Sequence, residues 1–171
     1  GVELLTDRAV FTDDVDLNAN VATTTGSVYV SAANGTTAGG GELQGIDMAV
    51  GTSIATGGGN VVMTATGEGD IRLGLVNAGA GHVSLSAQRD ILDSGEAGLN
   101  VQANTLRMVA DAAGGTANAG QIGQADGASA AGTNTNSIAT QVATLAARSA
   151  DGIYVLESDG LTVDALATFD V

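Results

Sequence analysis

The sequence lacks proline, cysteine, tryptophan and lysine, and it contains only two tyrosines and two phenylalanines. Without cysteine the chain offers no disulfide and no thiolate metal site, and redox chemistry gives no indication of its compartment. Because aromatic side chains usually supply much of a buried core, a core here must consist of Val, Ile, Leu, Met and Ala. The absence of proline leaves every backbone N–H able to donate, which a continuous sheet requires.

Positive charge is also scarce, since five arginines stand against 19 acidic residues and the formal net charge is −14. Nucleic acid and anionic membrane surfaces need Lys and Arg for binding, so both are excluded as partners. No stretch approaches the roughly 20 apolar residues of a membrane-spanning helix, so no membrane insertion is expected. The chain starts at Gly1 without a signal peptide, so we expect a mature product or an excised fragment.

Three stretches repeat one pattern: "VATTTGSVYVSA" (21–32), "IATGGGNVVMTA" (54–65) and "VNAGAGHVSLSA" (76–87). In each stretch a β-branched residue is followed seven positions later by the first valine of a short apolar alternation. These valines are Val28, Val61 and Val83. The series continues one similar interval later at Leu106 and, close to two further intervals on, at Ile153. Such internal repeats indicate a stacked architecture.

A second pattern lies between these repeats. "GDIRLG" and "RDILDSG" place Ile71 and Ile91 at equivalent positions of neighbouring repeats, and "QGIDMAV" (44–50) repeats the pattern more loosely. In these segments apolar and polar residues alternate, and Gly, Asn, Asp and Ser turns lie between the segments. This pattern predicts short strands with one buried face. Only residues 137–150, "SIATQVATLAARSA", also fit helical spacing, and a short helix there is left open.

A repeat of short strands favours a parallel β-solenoid over a sandwich or barrel, whose hairpins vary in length. In a parallel β-solenoid equivalent strands stack about 4.8 Å apart, so identical residues form ladders along the stack. The trailing residues Ala32, Ala65 and Ala87 are predicted to form one such ladder. We therefore predict a single all-β domain over residues 1–171, a parallel β-helix with coils of about 20–23 residues.

Two segments interrupt the period and are predicted to be surface loops at the corners of coils. They are residues 34–45, "NGTTAGGGELQG", and residues 111–137, which are low in complexity and contain one apolar island at Ile122. The longer interval from Val28 to Val61 is then either one coil with a loop or one and a half coils. Loops at corners leave the stack of a solenoid largely undisturbed.

The words "GNVVMTATGEGDIRLGLVNAGAGHVSLSAQRDILD", "ANTLRMVADAAGG" and "VATLAARSADGIYVLESDGLTV" resemble repeats of very large secreted bacterial exoproteins. This is the filamentous-haemagglutinin-like and giant adhesin class, with repeats of the form G-x-V-x-L-x-A, G-D-I-x-L and L-A-A-x-x-x-G-x-I-x-V. The resemblance covers roughly residues 20 to 165. It implies a right-handed parallel β-helix on the cell surface that serves as a stalk, an adhesin shaft or a matrix fibre. The chain departs from that class by showing no secretion domain or cap, as a fragment would.

Both ends of the chain, residues 1–17 and 159–171, show strand alternation instead of polar caps. Because an uncapped coil leaves backbone groups unpaired, we expect copies or neighbouring repeats to stack head to tail. These features predict a structural, extracellular unit of a bacterial surface filament, adhesin shaft or biofilm matrix. The alternative is an adhesin module that binds a glycan or a receptor through its corner loops.

Residues suited to chemistry are few. The single histidine, His82, is predicted to be a solvent-exposed turn residue. Acidic residues cluster in two stretches, and each cluster offers the oxygen ligands that Ca²⁺ prefers. The clusters are Asp13, Asp14 and Asp16, and Asp90, Asp93 and Glu96. Neither stretch has the EF-hand or β-roll calcium pattern, so we expect solvated strand faces and no cofactor, with Ca²⁺ as the open alternative.

An enzyme is not expected. Polysaccharide cleavage needs paired carboxylates with sugar-stacking aromatics, or a basic residue such as lysine. The chain has no lysine or tryptophan, and its only tyrosines are Tyr29 and Tyr154. We therefore predict no catalytic, cofactor-binding or metal-binding residues.

Overall fold

The computed structural model describes residues 10–11, 14–35, 45–110, 120–125 and 136–168 of the chain. These residues form seventeen β-strands and no helix, which confirms the predicted all-β class. In chain order the strands are β1 (Val10–Phe11), β2 (Val15–Leu17), β3 (Val21–Thr23), β4 (Val28–Gly35), β5 (Gly45–Met48), β6 (Ser53–Thr56), β7 (Val61–Gly67), β8 (Asp70–Leu73), β9 (Leu75–Asn77), β10 (His82–Ala87), β11 (Ile91–Asp93), β12 (Val101–Ala110), β13 (Gln121–Ile122), β14 (Ile138–Arg148), β15 (Gly152–Ile153), β16 (Val155–Glu157) and β17 (Thr162–Val163). The stretch 137–150, which also fits helical spacing, forms strand β14.

All strand pairs in the described part of the chain are parallel, as predicted, and they form two sheets. The small sheet has the order β2-β5-β8-β11-β13-β15. The large sheet has two halves, which are joined because β12 and β14 are long enough to belong to both. The first half contains β3, β6, β9, the beginnings of β12 and β14, and β16. The second half contains β1, β4, β7, β10, the ends of β12 and β14, and β17.

One row of apolar residues, the valine ladder, fixes the register of the second half. Its members are Val28, Val61, Val83, Leu106, Leu145 and Val163. The first four members are those predicted from the repeat. The prediction that Ile153 continues this series was wrong, because Ile153 pairs with Ile122 in the small sheet. Counting residues along the chain gave the wrong partner because the step from Leu106 to Leu145 is much longer than the step before it. The repeat period therefore no longer holds after Leu106.

A second row, the isoleucine ladder, fixes the register of the small sheet. Its members are Val15, Ile46, Ile71, Ile91, Ile122 and Ile153. The predicted equivalence of Ile71 and Ile91 is confirmed, and the apolar island at Ile122 is a member of this ladder. Val28 pairs directly with Val61, so the longer interval between them is a single step between neighbouring strands. Residues 36–44, 111–119 and 126–135, which make up most of the two predicted loops, lie outside the described residues.

The core is a single apolar cluster between the sheets. Beside the valine ladder, Met63, Leu85 and Met108 lie on paired positions and are fully buried. The predicted pairing of Ala32, Ala65 and Ala87 is confirmed, and none of these alanines is more than 2% exposed. Each buried Val, Leu or Ile side chain contributes about 1.5–3 kcal/mol of transfer free energy. Among the described residues the buried core consists of aliphatic side chains and methionine, as the scarcity of aromatics in the sequence predicts.

The corner between the two halves of the large sheet depends on a close approach of backbones. Gly26, Gly59 and Gly81, the glycine column, lie above one another at this corner. A Cβ atom built on Gly59 would overlap the carbonyl oxygen of Gly26, and one on Gly81 would overlap that of Gly59. The Asn104 N–H donates to the Gly81 carbonyl at 2.9 Å and continues the column. Gly59 and Gly81 therefore occupy positions at which the neighbouring backbone leaves no room for a Cβ atom.

Candidate functional site

The valine ladder changes abruptly in exposure at its last member. Leu106 is fully buried and Leu145 is 5% exposed, but Val163 is 75% exposed. All three side chains hold equivalent positions in the register. Val163 is exposed because β17 pairs with β14 on one side and, in the described part of the chain, with no strand on the other.

The isoleucine ladder ends in the same way. Ile91 and Ile122 are fully buried, whereas Ile153 is 46% exposed. Strand β15, which carries Ile153, is the last strand of the small sheet. Among the described residues, two independent ladders therefore end in apolar side chains without the next strand that covers each preceding member.

The strand stack ends at two edges. The carboxy-terminal edge consists of β15 in the small sheet, β16 in the first half and β17 in the second half of the large sheet. The amino-terminal edge consists of β2, β3 and β1 in the same three places. Within the described residues each of these strands pairs on one side only. A parallel sheet edge of this kind presents a row of backbone donors and acceptors to a further strand.

The carboxy-terminal edge carries a charged residue, Glu157, at the end of β16. Glu157 follows Val101 and Thr140 in the register of the first half, where earlier strands carry Val or Ile. Its carboxylate accepts hydrogen bonds from Thr140 Oγ1 at 2.7 Å and from the Val142 N–H at 3.3 Å. These two hydrogen bonds direct the carboxylate towards β14. They compensate the Glu157 carboxylate for the water that it loses there.

An aspartate row precedes the isoleucine ladder at the start of the small-sheet strands. Its positions are Asp14, Gly45, Asp70, Asp90, Gln121 and Gly152. Each aspartate accepts the N–H of the next position in the row: Gly45 to Asp14 at 2.9 Å, Asp90 to Asp70 at 2.9 Å and Gln121 to Asp90 at 2.8 Å. These carboxylates therefore bind the neighbouring strand, and they are structural acceptors.

Asp70 is the most buried member of the aspartate row. Its side chain is 4% exposed, and its Oδ1 atom lies 3.8 Å from Nε of the 29%-exposed Arg89. Burial raises the pKa of the Asp70 carboxyl above its usual value, while the Asp90 N–H and Arg89 oppose that rise. The loss of hydration on burial therefore raises the pKa of Asp70 more than the Asp90 N–H and Arg89 lower it.

The described members of the acidic clusters make different contacts in the fold. Asp13 lies outside the described residues, Asp14 belongs to the aspartate row, and Asp16 is exposed on β2. Asp93 Oδ1 accepts the Glu96 N–H at 3.1 Å, and Glu96 Oε1 accepts the Gly51 N–H. Within the described ranges no three His, Cys, Asp or Glu side chains form a group that could hold a metal ion.

The prediction for His82 was wrong. His82 begins strand β10 and is half-buried, and its Nδ1 lies 2.7 Å from Thr105 Oγ1 on the paired strand β12. It lies in the register between Asn60 and Thr105, so it is part of a polar row and not of an exposed turn. The two tyrosines are on separate elements, Tyr29 on β4 and Tyr154 between β15 and β16.

Asn100 is a structural residue that the sequence did not reveal. It is 1% exposed, and its Nδ2 donates to Leu73 O at 3.2 Å and to Asp93 Oδ1 at 2.7 Å. Its Oδ1 accepts the Ala139 N–H at 2.8 Å. One amide therefore links three successive strand levels. Nothing in the local sequence distinguishes Asn100 from a turn asparagine, because its burial depends on residues 27 and 39 positions away.

A row of amides borders an open groove on the first half of the large sheet. Gln102 Nε2 donates to Gln141 Oε1 at 2.9 Å, and Gln141 Nε2 donates to Asp159 Oδ2 at 3.4 Å. The pKa of the Asp159 carboxyl lies below its usual range. The largest cause is the hydrogen bond from the Gly160 N–H, and the side chains of Glu157 and Gln141 have smaller effects in the same direction. This row of side chains thus adds hydrogen bonds between neighbouring strands, in the direction in which the strands stack.

Comparisons of the chain with protein-family models, with curated proteins and with solved structures each gave no match. None of the described residues belongs to a helix that could span a lipid bilayer.

Proposed function

We propose that the chain is a structural unit of an extracellular bacterial filament or adhesin shaft, built as a parallel, right-handed β-solenoid. In this proposal the small sheet and the two halves of the large sheet are the three walls, and each full coil runs through all three, with β12 and β14 each extending over two walls. The parallel registers of the valine and isoleucine ladders support the solenoid. The resemblance of the repeats to giant secreted exoproteins supports an extracellular, passive shaft rather than an enzyme.

The observation that carries the proposal is the exposure of Val163 at the end of an otherwise buried ladder. Its 75% exposed side chain follows Leu145, which is 5% exposed at the equivalent position. A further coil, from a second copy or from a neighbouring repeat, would bury Val163 and Ile153 as the preceding members are buried. The hydrophobic gain is about 25 cal/mol for each Å² of apolar surface removed from water.

Each edge presents one strand with an unpaired side in each of the three walls, within the described residues. Strand β17 would pair with β1 of the next unit, which lies one strand further out than β2 and β3 because it pairs with β4, the strand that follows them. Such a contact joins two different surfaces, so repetition gives an open fibre. Since each unit carries a formal net charge of −14, we expect salt to strengthen the association by screening repulsion.

The test is to introduce charge at the carboxy-terminal edge. In the double variant Ile153→Asp with Val163→Asp, two carboxylates would be buried at the contact, so fibres should disappear. Val50→Asp is the matched control, because Val50 is 64% exposed but lies in the turn after β5. Negative-stain electron microscopy and sedimentation velocity, with circular dichroism to verify folding, report the result.

We expect fibres from the unmodified chain and from Val50→Asp, and single particles from the double variant. Fibres that persist in a folded double variant would contradict the proposed contact. An unmodified chain that stays monomeric at high concentration and high salt would contradict self-assembly of this unit.

A further inference from the structure

The turn after β16 brings a carboxyl group against the backbone nitrogen that follows it. The Gly160 N–H donates to Oδ1 of Asp159, its own neighbour in the chain, at 2.8 Å. Asp159 is exposed, and a Cβ built on Gly160 would meet no atom within 4 Å. The carboxyl group and the amide nitrogen are therefore adjacent, and the nitrogen is not shielded by neighbouring atoms on the side where a Cβ would lie.

We propose that Asp159–Gly160 is a self-modification site, at which Asp159 isomerises to isoaspartate through a cyclic imide. The Gly160 nitrogen forms a bond to the Asp159 carboxyl carbon, and the carboxyl hydroxyl leaves as water with the amide proton. Water then adds to one of the two imide carbonyls, and the ring bond at that carbon breaks. Opening at one carbonyl restores aspartate, and opening at the other leaves the backbone running through the side-chain carboxyl. No oxidant or cofactor is needed, and the composition is unchanged.

A second Asp-Gly pair in the same region has the opposite geometry. The Gly152 N–H donates to Ser149 Oγ at 3.0 Å, so its nitrogen is held away from the Asp151 carboxyl. Gly152 is also enclosed, because a Cβ there would lie 2.9 Å from Cε2 of Tyr154. Asp151–Gly152 is therefore an internal control with the same two residue types.

A third pair, Asp164–Ala165, has the same hydrogen-bond geometry as Asp159–Gly160 but a different second residue. The Ala165 N–H donates to Oδ1 of Asp164 at 2.7 Å, as at Asp159, but alanine carries a Cβ beside the attacking nitrogen. The reaction at Asp164 should accordingly be slower than at Asp159. Isomerisation at Asp159 would add one backbone atom between β16 and β17, which both pair with β14.

The reaction requires the protonated carboxyl, from which the hydroxyl can leave. Because the Gly160 N–H, Glu157 and Gln141 hold the pKa of Asp159 below its usual range, few molecules have that form at neutral pH. The conversion is therefore slow in neutral buffer and is best measured in mildly acidic buffer, over an extended incubation.

The experiment uses the full chain and one proteolytic peptide. Trypsin cleaves after Arg148, and the resulting peptide 149–171 contains Asp151, Asp159 and Asp164 together. Electron-transfer fragmentation distinguishes isoaspartate from aspartate at each position. We expect isoaspartate at Asp159 to form ~10-fold faster than at the other two, a difference of about 1.36 kcal/mol in barrier.

Two comparisons decide the result. Gly160→Ala, which the open space around Gly160 accommodates, should reduce the rate at Asp159 to that at Asp164. In the chain unfolded with urea, Asp151 and Asp159 should react at similar rates, because both are followed by glycine. Equal rates in the folded protein, or a preference for Asp159 that persists in urea, would overturn the assignment to folded geometry.

Discussion

The backbone N–H of Asp90 lies 2.9 Å from Oδ1 of Asp70, although 20 residues separate the two in the chain. The same relationship joins Gly45 to Asp14 and Gln121 to Asp90, each across 31 residues. A side chain at the start of one strand thus accepts the first N–H of the next. The bond satisfies a donor that a strand terminus would otherwise leave unpaired.

Replacement of Asp70 separates its role as an acceptor from its charge. Asp70→Ala leaves the Asp90 N–H without its partner, and we expect a loss of about 1–3 kcal/mol in the free energy of unfolding. Asp70→Asn retains an acceptor oxygen and removes a buried charge, so its stability should stay within about 1 kcal/mol of the unmodified chain. Urea unfolding measures both variants. Equal losses would show that the charge, not the acceptor, stabilises this site.

The raised pKa of Asp70 predicts a pH dependence with a definite sign. Between the ordinary value of 3.8 and the higher folded-state value, the folded chain binds more protons than the unfolded chain. The contribution of Asp70 to stability therefore increases as the pH falls through the folded-state pKa, and it is fully regained below 3.8. The unfolding free energy of the unmodified chain should rise relative to Asp70→Asn over this window. A difference that is constant with pH would contradict the prediction.

Asn100 should be among the most sensitive polar positions. Asn100→Ala removes three hydrogen bonds from a 1% exposed site, and we expect a loss of about 3 kcal/mol or more. Asn104→Ala is the control, because Asn104 is exposed and the column contact uses its backbone N–H. That variant should change stability by less than about 0.5 kcal/mol. Thermal or urea unfolding compares them, and similar losses would argue against the buried network.

The glycine column provides a matched steric test. Gly81→Ala places a Cβ on the Gly59 carbonyl oxygen, so neighbouring strands must separate and we expect a loss of about 1–3 kcal/mol. Gly26→Ala should be tolerated, because its Cβ would lie 3.8 Å from the Thr23 Cβ in ordinary contact. The difference in urea midpoint is the measurement. A stable Gly81→Ala variant would mean that this corner is less closely packed.

Two members of the isoleucine ladder should differ in their contribution to stability. Ile122→Ala empties a fully buried position and should cost about 2–5 kcal/mol. Ile153→Ala truncates a 46% exposed side chain and should cost roughly 1 kcal/mol in the unassembled chain. The comparison is made by urea unfolding under conditions that keep the chain monomeric. A loss at Ile153 equal to that at Ile122 would show that Ile153 is already covered.

The sequence predicted those registers that short, regular steps determine. Val28, Val61 and Val83 could be aligned because the same apolar alternation follows each of them. The alignment failed after Leu106, where the next partner, Leu145, lies beyond a long polar segment and only distance along the chain was used. Hydrophobic periodicity identifies strands well, but it does not indicate how far apart successive strands of one ladder lie in the sequence.

The burial of individual polar residues was harder to predict from the sequence than the strand registers. His82 and Asn100 both lie beside glycine or turn residues, and that context indicates exposure. The structure half-buries His82 and fully buries Asn100, because partners from other strand levels cover them. Burial of a single polar side chain depends on contacts that are distant in sequence, and a one-dimensional pattern does not contain them.

The unequal steps of the valine ladder have a consequence for how such a chain can change. The step from Leu106 to Leu145 is far longer in sequence than the step from Val61 to Val83, yet each advances the sheet by one strand. Insertions and deletions between strands can therefore accumulate without altering the number of strands in the sheet. Over evolutionary time, the connecting segments are free to diversify while the order and register of the strands stay constant.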